Sequence, residues 1–136
     1  MKITKIMSDD VITVEPINDL ATVAQLMKKH NIGFMPIVFD GQLLGVVTDR
    51  DLAIRGYGNK RDAGTKITEI MTSDCITVNN STSVDEVSEI MAKNNIRRVC
   101  ITDNGHLVGV CALGDLAVRK DYRENAEKVL TDISHK

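Results

Sequence analysis

Thr48 and Asp51 are the residues whose types and spacing best suit the binding of a small polar molecule. They lie three positions apart in the stretch GVVTDRDLAIR, residues 45–55. A carboxylate accepts hydrogen bonds from two neighbouring hydroxyls, and a hydroxyl beside the N–H groups of a helix start suits a phosphate. The same spacing also fits a capping box, in which Asp51 only stabilises the first helical turn. The spacing alone leaves both interpretations open.

The same stretch returns later in the chain as GVCALGDLAVR, residues 109–119. There Asp115 corresponds to Asp51, but Ala112 stands where the first copy has Thr48. The second copy therefore keeps the carboxylate and lacks the hydroxyl, which makes a purely capping role easier to assign to Asp115.

The likeness extends well beyond this stretch. Residues 1–55 align with residues 65–119 without a gap, at a constant offset of 64 positions. The matched pairs include Ile6 with Ile70, Met7 with Met71, Val14 with Val78, Met27 with Met91 and Gly45 with Gly109. The chain is therefore an internal duplication.

Each copy is expected to fold as strand, helix, strand, strand and helix. The β-branched runs Val11–Val14 and Cys75–Val78 predict the first strands. Helical stripes follow, formed by Leu20, Val23, Ala24 and Met27 and by Val84, Val87 and Met91. Ser83 with Glu86 has capping-box spacing. Asp40-Gly41 and Asn104-Gly105 each divide two apolar runs, which predicts a hairpin.

One copy of about 55 residues buries too little surface to be stable alone. We therefore expect an α/β fold of the α+β type, in which the two repeats pack by pseudo-two-fold symmetry and leave clefts between them. The predicted parts are repeat 1 (residues 1–55), a glycine-rich linker (56–64), repeat 2 (65–119) and a C-terminal amphipathic helix (120–136). The helix has an apolar face of Tyr122, Ala126, Val129, Leu130 and Ile133.

Composition disfavours several classes of function. The net charge is −2, so the chain lacks the overall positive charge that would attract it to nucleic acid or to an anionic membrane. No apolar run has the length of a signal peptide or a membrane span, which predicts a soluble, cytoplasmic protein. Three cysteines without ligand spacing and three scattered histidines predict no metal site. We also find no catalytic pairing of nucleophile and base.

The duplicated pattern, with "IM" and "ITV" near the start of each copy and G-x-x-T-x-x-D near the end of the first, resembles a pair of CBS domains, also called a Bateman module. The likeness covers residues 1–119 and is closest to small stand-alone bacterial CBS-pair proteins. It implies an adenine nucleotide bound between the repeats, with AMP or ADP expected and ATP or S-adenosylmethionine as alternatives. It also implies a homodimer and a regulated partner protein.

The resemblance assigns roles to particular residues. It implies that Thr48 meets the phosphate or ribose and that Asp51 accepts from the ribose hydroxyls, with Asp115 as the second-copy counterpart. Basic residues at the place of Arg97 and Arg98 face the opposite copy in related modules. Because adjacent strand residues point to opposite faces, we expect one arginine, preferably Arg98, to point inward; both could instead be solvated. The base would rest near Cys75, Ile76 and Cys100, three residues that are also expected to be core positions.

Three functions follow from these observations. The first is a sensor whose bound nucleotide shifts the packing of the repeats and is read by a partner. The alternative is a dimeric interaction protein that binds no ligand and acts through its helical faces. An enzyme is the least supported, because no base, nucleophile or metal cluster accompanies the cleft.

Overall fold

The computed structural model describes residues 1–117 and 123–134. The chain divides into two compact units. The first-repeat unit consists of residues 12–75, and the second-repeat unit consists of residues 1–11 and the described residues from 76 onward. Both units combine helices with β-strands, which confirms the predicted α+β class.

The first-repeat unit contains one long helix and one hairpin. Strands β1 and β2 pair antiparallel, and a short helix follows β2 directly. Its elements are α1 (Leu20–His30), β1 (Phe34–Phe39), β2 (Gln42–Thr48), α2 (Asp49–Asp51), a π-helix (Leu52–Gly56) and 3-10 helices at Tyr57–Asn59 and Ile67–Glu69. The predicted linker, residues 56–64, thus begins with helical turns.

The second-repeat unit repeats this plan and adds a strand and a helix. Strand β3 pairs parallel to β4, and β4 pairs antiparallel to β5. Its elements are a 3-10 helix (Ile3–Lys5), β3 (Thr77–Asn79), α3 (Val84–Asn94), β4 (Arg98–Asp103), β5 (His106–Ala112), α4 (Leu113–Ala117) and α5 (Arg123–Ser134).

Both predicted hairpin turns are confirmed. Asp40 and Gly41 have φ angles of 54° and 79°, and Asn104 and Gly105 have φ angles of 51° and 84°. Positive φ at both central residues gives the turn a twist that matches the flanking strands. These turns set the register that brings residue 48 opposite residue 34, and residue 112 opposite residue 98.

The two main helices begin where side-chain oxygens cap them. The Asp19 carboxylate accepts from the Thr22 backbone N–H at 2.8 Å, and Ser83 Oγ accepts from the Glu86 N–H at 3.2 Å. Ser83 Oγ also donates to Glu86 Oε1, at 3.4 Å. The predicted core stripes are buried at every position but one. Ala24 is exposed, so its assignment to the core was wrong.

The predicted strand at Val11–Val14 does not form; only Val14 makes an isolated parallel bridge, to Ile37. A longer ladder would need N–H donors at positions 16 and 36, and both residues are proline. In the second copy the strand does form, but over Thr77–Asn79, so Cys75 and Ile76 precede it.

The two sequence copies exchange their leading segments. Ile3 is fully buried in the core of the second-repeat unit, and Ile67 is fully buried in the core of the first-repeat unit. The Ile3 N–H donates to the Thr82 carbonyl at 2.9 Å, and the Ile67 N–H donates to the Asn18 carbonyl at 2.8 Å. We call residues 1–8 and 65–72 the crossover segments, because each packs in the unit built mainly from the other copy.

Helix α5 packs against α3 and α4. Ala126 and Val129 are buried and Ile133 contacts the same core, whereas Leu130 remains 43% exposed. Tyr122, predicted on the same face, lies outside the described residues. Across the described part of the chain, no helix has both the length and the apolar character needed to cross a membrane.

Candidate functional site

Thr48 and Asp51 form a complete capping box at the end of β2. The Thr48 backbone N–H donates to Asp51 Oδ2 at 2.9 Å, and the Asp51 N–H donates to Thr48 Oγ1 at 3.1 Å. The side chains are therefore held by the backbone in one arrangement. The structural role considered from the sequence is present at both residues.

The capping box leaves part of each group's bonding capacity for other partners. Asp51 Oδ1 lies 3.8 Å from Nε of Arg55, which is beyond hydrogen-bond distance. The Thr48 hydroxyl accepts one bond here, and its own hydrogen remains a donor. An acceptor and a donor therefore lie within one helical turn, which is the chemistry needed for a sugar hydroxyl beside a phosphate.

The second copy has only half of this arrangement. Asp115 Oδ2 accepts from the Ala112 N–H at 2.8 Å, but Ala112 offers no hydroxyl in return. The other oxygen, Oδ1, accepts from Ser8 Oγ at 3.5 Å. Both Asp115 oxygens thus have protein partners, and the neighbouring hydroxyl comes from a crossover segment.

Arg97 and Arg98 lie at the start of β4, and both are exposed. Arg98 is directly opposite Ala112 in the β4–β5 ladder, and the Arg97 carbonyl accepts from the Leu113 N–H at 2.8 Å. At the position that matches Arg97 in the first copy stands Gly33. A Cβ there would lie 2.7 Å from Oδ2 of Asp49. The cationic position is thus specific to the second copy.

The three residues expected beside a base differ in exposure. Cys100 is buried, Cys75 is half-buried and Ile76 is 38% exposed, so the view of Cys75 and Ile76 as core positions was wrong. Burial raises the pKa of the Cys75 thiol. Burial, with a smaller contribution from the Asp115 charge, raises the pKa of Cys111 to about 12. Neither thiol has the lowered pKa of a reactive cysteine.

Sequence reasoning missed Arg55 and Ser8 as neighbours of the two carboxylates. Arg55 lies four positions after Asp51, and this helical spacing was a signal for an ion pair. Nothing local indicated Ser8, which reaches Asp115 only because the crossover segment packs in that unit. Within residues 1–117 and 123–134, no three His, Cys, Asp or Glu side chains group as metal ligands.

Comparison with known proteins gives this arrangement a context. The family model described as "CBS domain" matches twice, at residues 3–56 and 67–120. The chain is 43% identical over 129 residues to the CBS domain-containing protein YhcV of Bacillus subtilis, covering 95% of this chain and 92% of that protein.

Two solved structures share the fold. Hypoxic Response Protein I, crystallised with two coordinated zinc ions, superposes with a TM-score of 0.79 at 30% identity, over 87% of this chain and 98% of that one. The CBS domain pair of protein MJ0100, in complex with 5-methylthioadenosine and S-adenosyl-L-methionine, gives a TM-score of 0.75 at 32% identity, over 87% and 94%. With both repeats matched, the chain belongs to the CBS domain family and is a tandem CBS pair, a regulatory type of module.

Proposed function

We propose that this chain is a non-catalytic sensor that binds an adenine nucleotide at Thr48 and Asp51 and passes the signal to a partner protein. The observation that carries the proposal is the likeness to the MJ0100 CBS pair, whose two ligands both contain adenosine. AMP or ADP is the expected ligand, and ATP and S-adenosylmethionine are the alternatives.

The geometry of the first copy supports this assignment. Asp51 Oδ1 is positioned to accept from the ribose hydroxyls, because the capping bond engages only Oδ2. The Thr48 hydroxyl can donate to a phosphate oxygen while it caps the helix. The ligand thus needs no rearrangement of the capping box, and a preorganised site loses less entropy on binding.

The second copy is the poorer candidate, because Ala112 brings no hydroxyl and Asp115 already accepts from Ser8. The proposal keeps the predicted roles of Arg97 and Arg98 at the phosphate. It also keeps those of Cys75, Ile76 and Cys100 beside the base. Arg98 remains the preferred cation. Its charge suits a phosphate, and an arginine holds phosphate oxygens through paired N–H groups.

Isothermal titration calorimetry with the four ligands tests this function. Asp51→Ala should weaken binding by roughly ten- to a hundredfold, since a hydrogen bond to a charged group contributes about 1.5–3 kcal/mol. Asp115→Ala, the matched change in the second copy, should have a much smaller effect. Circular dichroism controls for folding. Equal losses in the two variants, or no heat with any of the four ligands, would contradict the proposal and favour the ligand-free interaction protein.

We also propose that the module is a homodimer. In the second-repeat unit α5 covers the helical face, and Ser88 there is 1% exposed. The corresponding face of the first-repeat unit carries the exposed Ala24 and a groove of about 260 Å³. Arg61 and Asp62 line this groove together, so the charges of two copies related by a two-fold axis can complement each other.

Sedimentation of the wild type and two variants tests the homodimer. Ala24→Glu places a charge in the groove and should produce a monomer. Gln25→Glu adds the same charge at the next, also exposed, position of α1, outside the groove lining, and should leave the dimer intact. A monomeric wild type, or a dimer that Ala24→Glu does not weaken, would contradict this assignment.

A further inference from the structure

Arg55 connects the candidate ligand carboxylate to the crossover segment 65–72. Its Nε lies 3.8 Å from Asp51 Oδ1, and its Nη1 donates to the Ile70 carbonyl and to Thr72 Oγ1, both at 3.3 Å. One guanidinium therefore contacts the residue that would receive ribose and the segment contributed by the other sequence copy.

The second copy makes the corresponding connection with different chemistry. Ser8 is the counterpart of Thr72 at the offset of 64, and its hydroxyl donates to Asp115 directly, at 3.5 Å. Both hydroxyl-bearing residues are paired by backbone bonds with the last strand of their unit, Ser8 with Val110 and Thr72 with Val46. In each copy, then, a carboxylate is connected to a crossover segment.

We propose that Arg55 is a positioning residue that transmits occupancy of Asp51 to the crossover segment 65–72. This inference rests on the proposed function. A ribose hydroxyl that donates to Asp51 Oδ1 competes with Arg55 for that oxygen. The guanidinium then turns more fully to the Ile70 carbonyl and Thr72 Oγ1 and holds the crossover segment more firmly.

The size of the response follows from the exposure of the pair. The Arg55 side chain is 50% exposed, so solvent weakens its ion pair with Asp51 and its hydrogen bonds to Ile70 and Thr72. A local contact of this strength changes the opening of nearby amides by roughly 1.5- to fivefold. The affected amides are those of the 3-10 helix Ile67–Glu69 and of Ile70, Met71 and Thr72.

Hydrogen exchange with AMP as the probe tests the connection, with calorimetry run on the same samples. In the wild type AMP should slow exchange across residues 67–72 by that factor. Arg55→Gln should still bind AMP but lose the slowing, and Arg55→Lys should restore it only in part, because a lysine cannot span both contacts. Arg50→Gln removes the same charge from an exposed neighbour and should respond like the wild type.

The outcomes separate this inference from the proposed function. AMP binding without slower exchange at residues 67–72, or with equal slowing in Arg55→Gln, overturns the inference alone. Failure of AMP to bind the wild type overturns both. If Arg50→Gln abolishes the slowing as fully as Arg55→Gln does, the effect is due to net charge. That result also overturns the inference.

Discussion

Gly45 on β2 packs directly against the Thr72 backbone of a crossover segment. A Cβ built on Gly45 would lie 2.6 Å from the Thr72 carbonyl oxygen and 2.9 Å from Met71 Sδ. The second copy repeats this contact, since a Cβ on Gly109 would lie 2.9 Å from the Ser8 carbonyl oxygen. At both places the absence of a side chain lets the crossover segment pair with the strand.

Gly45→Ala and Gly109→Ala should therefore destabilise the fold by about 1–3 kcal/mol each, because the backbone they meet cannot move aside cheaply. Urea unfolding measures the change. Gly114→Ala is the control. Among the described residues, no atom outside its own helix backbone and chain neighbours lies within 4 Å of its added Cβ, and alanine in α4 should be neutral or stabilising. Equal effects at the three glycines would contradict the close approach.

Thr48 supplies a capping hydroxyl that Ala112 lacks. The hydroxyl can therefore be removed from the first copy and added to the second. Thr48→Ala should lower the free energy of unfolding by about 1 kcal/mol, the usual contribution of an N-cap side chain. Ala112→Thr should add a fraction of this amount, because the other half of that capping box, from the Ala112 N–H to Asp115, already exists. Thermal unfolding of the two variants measures both changes. A stabilising Thr48→Ala would show that the hydroxyl is kept for a reason other than stability.

The Asp19 carboxylate should make the stability of the fold depend on pH in the acid range. The Thr22 backbone N–H, and then its hydroxyl, donate to this carboxylate and hold its pKa below the ordinary value of 3.8. The folded state therefore binds the proton less readily than the unfolded state. The stabilisation is complete above the unfolded pKa and is lost as the pH falls through the folded one.

Asp19→Asn keeps an oxygen that can cap α1 but does not titrate. Urea unfolding between about pH 6 and pH 2 should show a shallower loss of stability for this variant than for the wild type. Asp9→Asn provides the control at an exposed aspartate of the other unit. If the two proteins lose stability equally as the pH falls, the capping bond does not lower the pKa of Asp19 in the folded state relative to the unfolded state.

The three thiols should react in a fixed order. Cys75 is half-buried, so a thiol reagent at neutral pH should label it first, more slowly than a free cysteine because burial raises its pKa. Cys100 and Cys111 are buried and should react only when the protein opens. Mass spectrometry of partly labelled, digested protein measures the order. Early labelling of Cys111, with its pKa of about 12, would contradict the burial.

The sequence predicted most of the local structure because the relevant signals are local. Asp40-Gly41 and Asn104-Gly105 set the turns, and Ser83 with Glu86 sets the start of α3. The failed strand at Val11–Val14 also had a readable cause. Pro16 and Pro36 are prolines that the second copy lacks, and they remove the donors a longer ladder would need.

Other features could not be read from local patterns. Ile3 and Ile67 look alike in sequence, and nothing near them indicates which core receives them. Ala24 and Ser88 occupy the same place in the repeat, yet only Ser88 is buried, because α5 packs on the second-repeat unit. The candidate site shows the same division. Spacing drew attention to Thr48 and Asp51, and the family resemblance assigned them to a ligand. The contact of Ser8 with Asp115 instead depends on which unit the segment of Ser8 joins.

The exchange of leading segments bears on how such a protein can be dissected. A fragment cut at the glycine-rich stretch, residues 56–64, would carry one Ile-Met segment without the core that receives it, and would leave a gap where the other belongs. Neither sequence copy is thus expected to fold as an independent domain. The smallest fragment that retains both complete cores is the pair of repeats.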